Sequence, residues 1–180
     1  GVVAPCVFVE GEFQSSSLSA AFYAALNIDS AIAAQLPRLA DLRPDVVLAL
    51  EPTAPLPQLR RARQVNPDGS TAPLEDTDTR LRLLPIDIKR SNHVNASYAI
   101  EVTLYAVLLA LWIEHEGLAD KYVVIDQPAL WTLDAPDAAP MSTLNTVPID
   151  ERIATLLARL ELVEFDQYVI SMRKIFREDL

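Results

Sequence analysis

The segment Ala96 to His115 constrains this chain most. It contains the longest unbroken apolar run, Leu104 to Ile113, ten residues long. A bilayer span needs about twenty such residues, so a run of this length reads as a buried helix. Ser91-Asn92-His93-Val94-Asn95 supplies helix-start side chains ahead of it, and Gly117 is a C-terminal stop. The segments on either side, Arg80 to Lys89 and Lys121 to Asp126, read as strands. A strand, a buried helix and a further strand in that order predict an α/β domain in which the helix lies on a sheet.

The rest of the chain fits the same class. Val2 to Val9 is a short apolar stretch that reads as a strand. Ser15-Ser16-Ser17 offers capping hydroxyls, and Leu18, Phe22 and Leu26 then fall at i, i+4 and i+8 of a helix. Residues 28–42 contain a second short helix, interrupted at Pro37. Val46 to Leu50 reads as a buried strand entered from Pro44. Residues 51–78 hold five prolines and one glycine, and read as a long insertion loop or a hairpin. Residues 127–148 are rich in proline and alanine, with Leu130 to Leu133 as a further short strand. Residues 149–180 form a C-terminal helical region, with Leu156, Leu157, Leu160, Val163, Tyr168 and Met172 among its buried positions. The expectation is one domain over residues 1–180 with a mixed central sheet flanked by helices. The start at Gly1 without an initiator Met, and an end just after a helical pattern, suggest a piece of a larger protein.

Charge narrows the partners. The net charge of −10 argues against a nucleic-acid partner across the whole surface. Its distribution is uneven. Arg38 to Arg90 carries nine basic and eight acidic residues, whereas the remainder is −11. Arg60, Arg61 and Arg63 lie in the more basic stretch, as do Arg80 and Arg82. They read either as a solvated loop and edge strand or as a local phosphate-contacting patch. The single Cys6 excludes an internal disulfide and any cysteine-held metal or iron–sulfur site. A cytoplasmic setting without membrane attachment is expected.

The chemistry concentrates at Asp87-Ile88-Lys89. Side chains alternate along a strand, so Asp87 and Lys89 share one face and Ile88 is expected to point into the core. Pro44-Asp45 opens a second strand 42 residues earlier. Asp45, Asp87 and the Ile88 carbonyl offer the hard oxygen ligands that Mg²⁺ prefers. Such an ion activates water and neutralises charge on a phosphodiester, and Lys89 orients the water or stabilises the transition state. An Asp-x-Lys triplet occurs often by chance, and alone it reads first as an edge-strand ion pair. Glu101 is the only charged residue from Tyr98 to Ile113, and shares a helical face with Tyr105 one turn on. A buried unpaired carboxylate is costly, so Glu101 needs a polar partner or faces a cleft.

Pro44-Asp45, Asp87-Ile88-Lys89 and a helix with Glu101 and Tyr105 together resemble the PD-(D/E)xK nuclease superfamily. Within it, the chain is most similar to the RecB-like exonuclease branch, where the helix usually carries Gln-x-x-x-Tyr; here Glu101 replaces the glutamine. The resemblance covers about residues 10 to 126. It implies a restriction-endonuclease-like αβββαβ core and a Mg²⁺- or Mn²⁺-dependent deoxyribonuclease without an iron–sulfur cluster. It also implies that Asp45 and Asp87 are metal ligands and Lys89 is catalytic, with Glu101 and Tyr105 supporting the site or contacting DNA. An acidic residue or a histidine near the first helix often joins the site in this superfamily; Glu12 and Glu10 are the candidates here, with Glu12 nearer the helix start. The gap from Asp45 to Asp87 is long for the family, so residues 51–78 must loop out of the core. DNA repair or anti-phage defence is the implied context, with other domains or subunits as partners. The competing expectation is a non-catalytic module of the same fold used in protein assembly.

Other constellations are weaker. His93 and His115 have no metal-ligand spacing, and the serine triplet lacks a nucleophile-elbow context. Four glycines without a glycine-rich loop disfavour phosphate-cradling nucleotide folds. Trp112 and Trp131 read as core or interface residues.

Overall fold

The computed structural model of the protein describes residues 6–9, 12–52, 62–90, 95–131 and 161–178. Strand β1 spans Cys6–Val9. A single 3-10 turn, Ser16–Leu18, leads into α1 (Ser19–Ala25), followed by α2 (Ser30–Ala33) and β2 (Val46–Leu50). The hairpin β3 (Arg63–Val65) and β4 (Thr71–Pro73) precedes β5 (Leu81–Ile88). Then come α3 (Ala96–His115), β6 (Tyr122–Val124), β7 (Ala129–Trp131), β8 (Glu161–Leu162) and α4 (Phe165–Glu178). The domain is therefore mixed α/β, but the described elements depart from the expected αβββαβ order: β1 precedes α1, and only β2 and β5 of the main sheet lie between α1 and α3.

The sheet is ordered β1-β2-β5-β7-β8, with β6 beside the first half of β5. β1 pairs with β2, and β2 with β5, in antiparallel, whereas β6 and β7 both pair with β5 in parallel. A parallel partner needs a crossover, and α3 provides it. β5 thus joins the antiparallel and parallel halves of the sheet.

Both sheet faces are covered, which is why β2 reads as a continuous apolar run rather than an alternating one. On one face Val47, Ala49, Leu83 and Val124 pack with α1 and α3. On the other, Val46, Leu48, Leu84, Ile86 and Ile125 pack with Ala62 and Leu74, which flank the hairpin. Residues 62–78 are thus a hairpin insertion, and the described part does not loop out of the core as expected: Ala62, Val65 and Leu74 are buried in it. Leu18, Phe22 and Leu26 are buried as their spacing predicts.

α3 begins where Asn95 Oδ1 accepts the Tyr98 N–H at 3.0 Å. It ends in a Schellman motif: Gly117 N–H donates to Glu114 O, and Leu118 N–H donates to Ile113 O. Gly117 has φ +67°, a backbone region that glycine enters without steric cost. By length and composition α3 is apolar enough to cross a membrane, yet 56% of that stretch is buried inside the fold, between the sheet and α4.

Two further expectations are corrected. Residues 149–180 were expected to be helical, but residues 161–162 form β8, antiparallel to β7, and the helix starts at Phe165. Val163 is buried in the bend between them rather than on a helix. Leu156, Leu157, Leu160 and the Met172 side chain lie outside the described residues. Ile88 was expected in the core but is 45% exposed. It lies on the face of Leu84 and Ile86, and the apolar cover of that face ends before the strand does.

Candidate active site

The pairing of β2 with β5 brings the two aspartates together. The antiparallel ladder ends at Val46 opposite Ile86; Asp87 is the next residue of β5, and Asp45 sits in the bend just before β2. By alternation Asp87 takes the face opposite that of Ile86. That face carries Val47, Leu83 and, above them, α3. The Asp45 carboxyl is near enough to Asp87 to push its pKa up. Asp45 Oδ2 also accepts the Ile88 N–H at 2.6 Å, which fixes its orientation. On the other flank Asp87 neighbours Leu130 of β7, and it is only 4% exposed.

Lys89 closes the site from the end of β5. Its backbone N–H donates to Trp131 O at 2.9 Å, tying it to β7. Its Nζ lies 2.6 Å from Asp87 Oδ2 and 2.8 Å from Glu101 Oε2. The same ammonium stands 4.9 Å from the centroid of the Tyr98 ring, a cation–π contact. Glu101 is held in turn by the Tyr105 hydroxyl, which donates to Oε1 at 3.0 Å. Glu101 therefore has both polar partners that its position in an apolar helix demands.

Asp87 Oδ2 is buried, and no hydrogen bond satisfies it. The Lys89 ammonium approaches it closely but off the hydrogen-bonding direction, so the contact is an ion pair only. Burial raises the Asp87 carboxyl to about 6. Lys89 opposes that rise, while Asp45 and the Glu101 charge add to it. Burial works against the Lys89 ammonium, but Asp87 and Glu101 overcome it and raise its pKa. Burial, then the Glu101 charge, raises the Tyr105 hydroxyl.

The Asp87 shift sets a sign for pH dependence. Between the ordinary value of 3.8 and about 6, the folded protein holds a proton that the unfolded chain has released. The stability contributed by this group is full below pH 3.8 and is lost as pH rises through about 6. Asp87→Asn removes the titration. Relative to this variant, wild type is expected to lose stability between pH 4 and 6.5, at no more than about 1.4 kcal/mol per pH unit. Urea denaturation of both proteins across that range checks it; parallel pH profiles would contradict it.

The donor set fits a hard cation. Two nearby carboxylates are present, and a buried oxygen of one, Asp87 Oδ2, has only the Lys89 ion pair against it. A strand residue projects its N–H and C=O from the same edge, so the Ile88 carbonyl also faces the Asp45 side. Mg²⁺ typically takes one or two carboxylates and keeps several waters, which suits so sparse a set. Among the described residues no group of three or more His, Cys, Asp or Glu side chains gathers to hold an ion. Glu12 does not join Asp45 and Asp87 in such a group. It is exposed and paired with Arg43 at 2.8 Å.

The remaining predicted residues fall elsewhere. Glu10, Arg60 and Arg61 lie outside the described residues, as does His93. Arg63 is exposed in β3; its guanidinium donates to Thr71 O at 3.1 Å and its backbone N–H to Asp126 Oδ1 at 2.9 Å, so its contacts do not reach the Asp87 cluster. Arg80 is tied to Asp78 at 2.6 Å. Trp112 packs edge-to-face on Phe13, at 5.0 Å between ring centroids. Tyr98 is the site residue that sequence reasoning missed. Its signal is its spacing, three residues before Glu101 and on the same helical face.

No family model, curated protein or solved structure matches the chain.

Proposed function

We propose that this domain is a Mg²⁺- or Mn²⁺-dependent nuclease that hydrolyses DNA phosphodiester bonds. In this reading it is of the PD-(D/E)xK type, close to the RecB-like branch, with a restriction-endonuclease-like core. The observation that carries the reading is the approach of Asp45, bonded to the Ile88 N–H, to Asp87, where Lys89 also meets Glu101. Asp45, Asp87 and the Ile88 carbonyl would hold the ion. When bound, it supplies a water of lowered pKa and charge neutralisation at the phosphate. Lys89 contributes a fixed positive charge beside the scissile group. Glu101 and Tyr105 hold the ammonium in place, and the burial of Asp87 limits water at the ligand oxygen. Arg60 and Arg61 are the proposed phosphate contacts. A body of charge −10 calls for further domains or subunits to help carry DNA, in a cytoplasmic repair or defence setting.

The test is cleavage of labelled single- and double-stranded DNA and of RNA, with Mg²⁺ or with chelator. Wild type is expected to cut DNA only with the ion, and Asp87→Ala to cut at least about 100-fold more slowly. Cleavage by wild type that survives chelation, or equal rates for both proteins, would refute the reading.

One observation favours a second reading. Lys89 is already neutralised between two carboxylates, as a structural ion pair would be. A non-catalytic assembly module of the same architecture would cut no substrate under any ion.

A further inference from the structure

The Lys89 ammonium meets three groups that all favour a cation: Asp87 Oδ2 at 2.6 Å, Glu101 Oε2 at 2.8 Å and the Tyr98 ring at 4.9 Å. These contacts are not equivalent. Asp87 Oδ2 is buried and lacks a directed hydrogen bond, so its ion pair with Lys89 is poorly aligned. Glu101 donates nothing but accepts a well-formed bond from Lys89, and it is braced by Tyr105. Its side chain is 41% exposed, so it also has room to adjust.

We propose that the site is closed by its own lysine: the Lys89 ammonium fills the seat on Asp87 Oδ2 that a divalent cation takes, and loading the ion moves the ammonium wholly onto Glu101. This rests on the metal-dependent reading above. The charges balance. Asp45, Asp87 and Glu101 with Lys89 carry two net negative charges when ionised, and one dication neutralises them. The ammonium leaves one carboxylate without leaving the site, because Glu101 and the Tyr98 ring still hold it. Glutamine at position 101 would offer the ammonium a dipole instead of a charge, and would receive it less well. Glu101 is thus a positioning residue that acts through Lys89, and Tyr98 is the second wall of the lysine's retreat.

Mn²⁺ binding, measured by calorimetry at pH 7.5, separates this exchange from simple charge attraction. The proteins compared are wild type, Lys89→Met, Glu101→Gln and the double variant, each checked for fold by circular dichroism. Lys89→Gln replaces Lys89→Met if the latter does not fold. Removing the competing ammonium is expected to tighten Mn²⁺ binding about tenfold or more. Glu101→Gln is expected to weaken it about tenfold when Lys89 is present, and less than about twofold when it is absent. Equal weakening in both backgrounds, or no tightening on loss of Lys89, would overturn the exchange while leaving the metal site standing. Absence of Mn²⁺ binding in all four proteins would overturn both.

Discussion

Lys89→Ala is expected to lower Mg²⁺-dependent DNA cleavage by about 10²–10³-fold while the domain stays folded. The magnitude is that of removing one preorganised charge from a site where charge develops. Retention of the fold is not automatic, because breaking a buried ion pair from one side typically costs about 3–5 kcal/mol when the partner stays charged. Asp87 has a way out. Its carboxyl already titrates near 6, and without the opposing lysine it rises further and takes a proton. Glu101 keeps its Tyr105 bond and its partial exposure. Single-turnover cleavage at saturating Mg²⁺, alongside circular dichroism, reads both parts. Because loss of the ammonium should favour ion binding, the fall must appear in turnover and not in metal affinity. Unchanged cleavage would exclude Lys89 from the chemistry.

Leu84→Ala carries the largest expected effect on stability. Leu84 lies in the middle of β5, opposite Leu48 of β2, and both side chains are 0% exposed. They pack on the sheet face turned away from α3. Truncation removes the transfer energy of the lost methyl groups and leaves a cavity between strands paired on both sides. A loss of about 2–5 kcal/mol follows, read as a lower urea midpoint with an unchanged slope. The aspartates lie on the opposite face, so Mn²⁺ affinity of the folded variant should match wild type. A loss below about 1 kcal/mol would mean that this face is not a packed layer.

These two variants also separate what was legible in the sequence from what was not. α3 was legible to the residue because its apolar run, its Asn95 cap and its Gly117 stop all agree. β2 and β5 were legible as strands, and so was the shared face of Asp87 and Lys89. The register was not. Nothing local to Pro44-Asp45 states that its partner 42 residues later is Asp87 rather than a neighbour, and a slip of one residue would have turned one carboxylate away. Ile88 shows the limit of alternation: the pleat gives a side chain's direction, but whether anything covers it depends on elements distant in sequence. β8 was hidden inside a helical expectation because a short apolar stretch fits a strand as well as a helix. Tyr98 escaped notice because aromatic residues on an apolar helix normally pack, and only the position of the Lys89 ammonium gives this ring a second role.

The account stands on Asp45 and Asp87 sharing one divalent cation. Calorimetric titration of Mn²⁺ into wild type and into the Asp45→Asn/Asp87→Asn double variant tests this most directly. One ion per chain in wild type, with binding lost in the folded double variant, is the predicted result. Equal binding in the two proteins, or none in wild type, would contradict it.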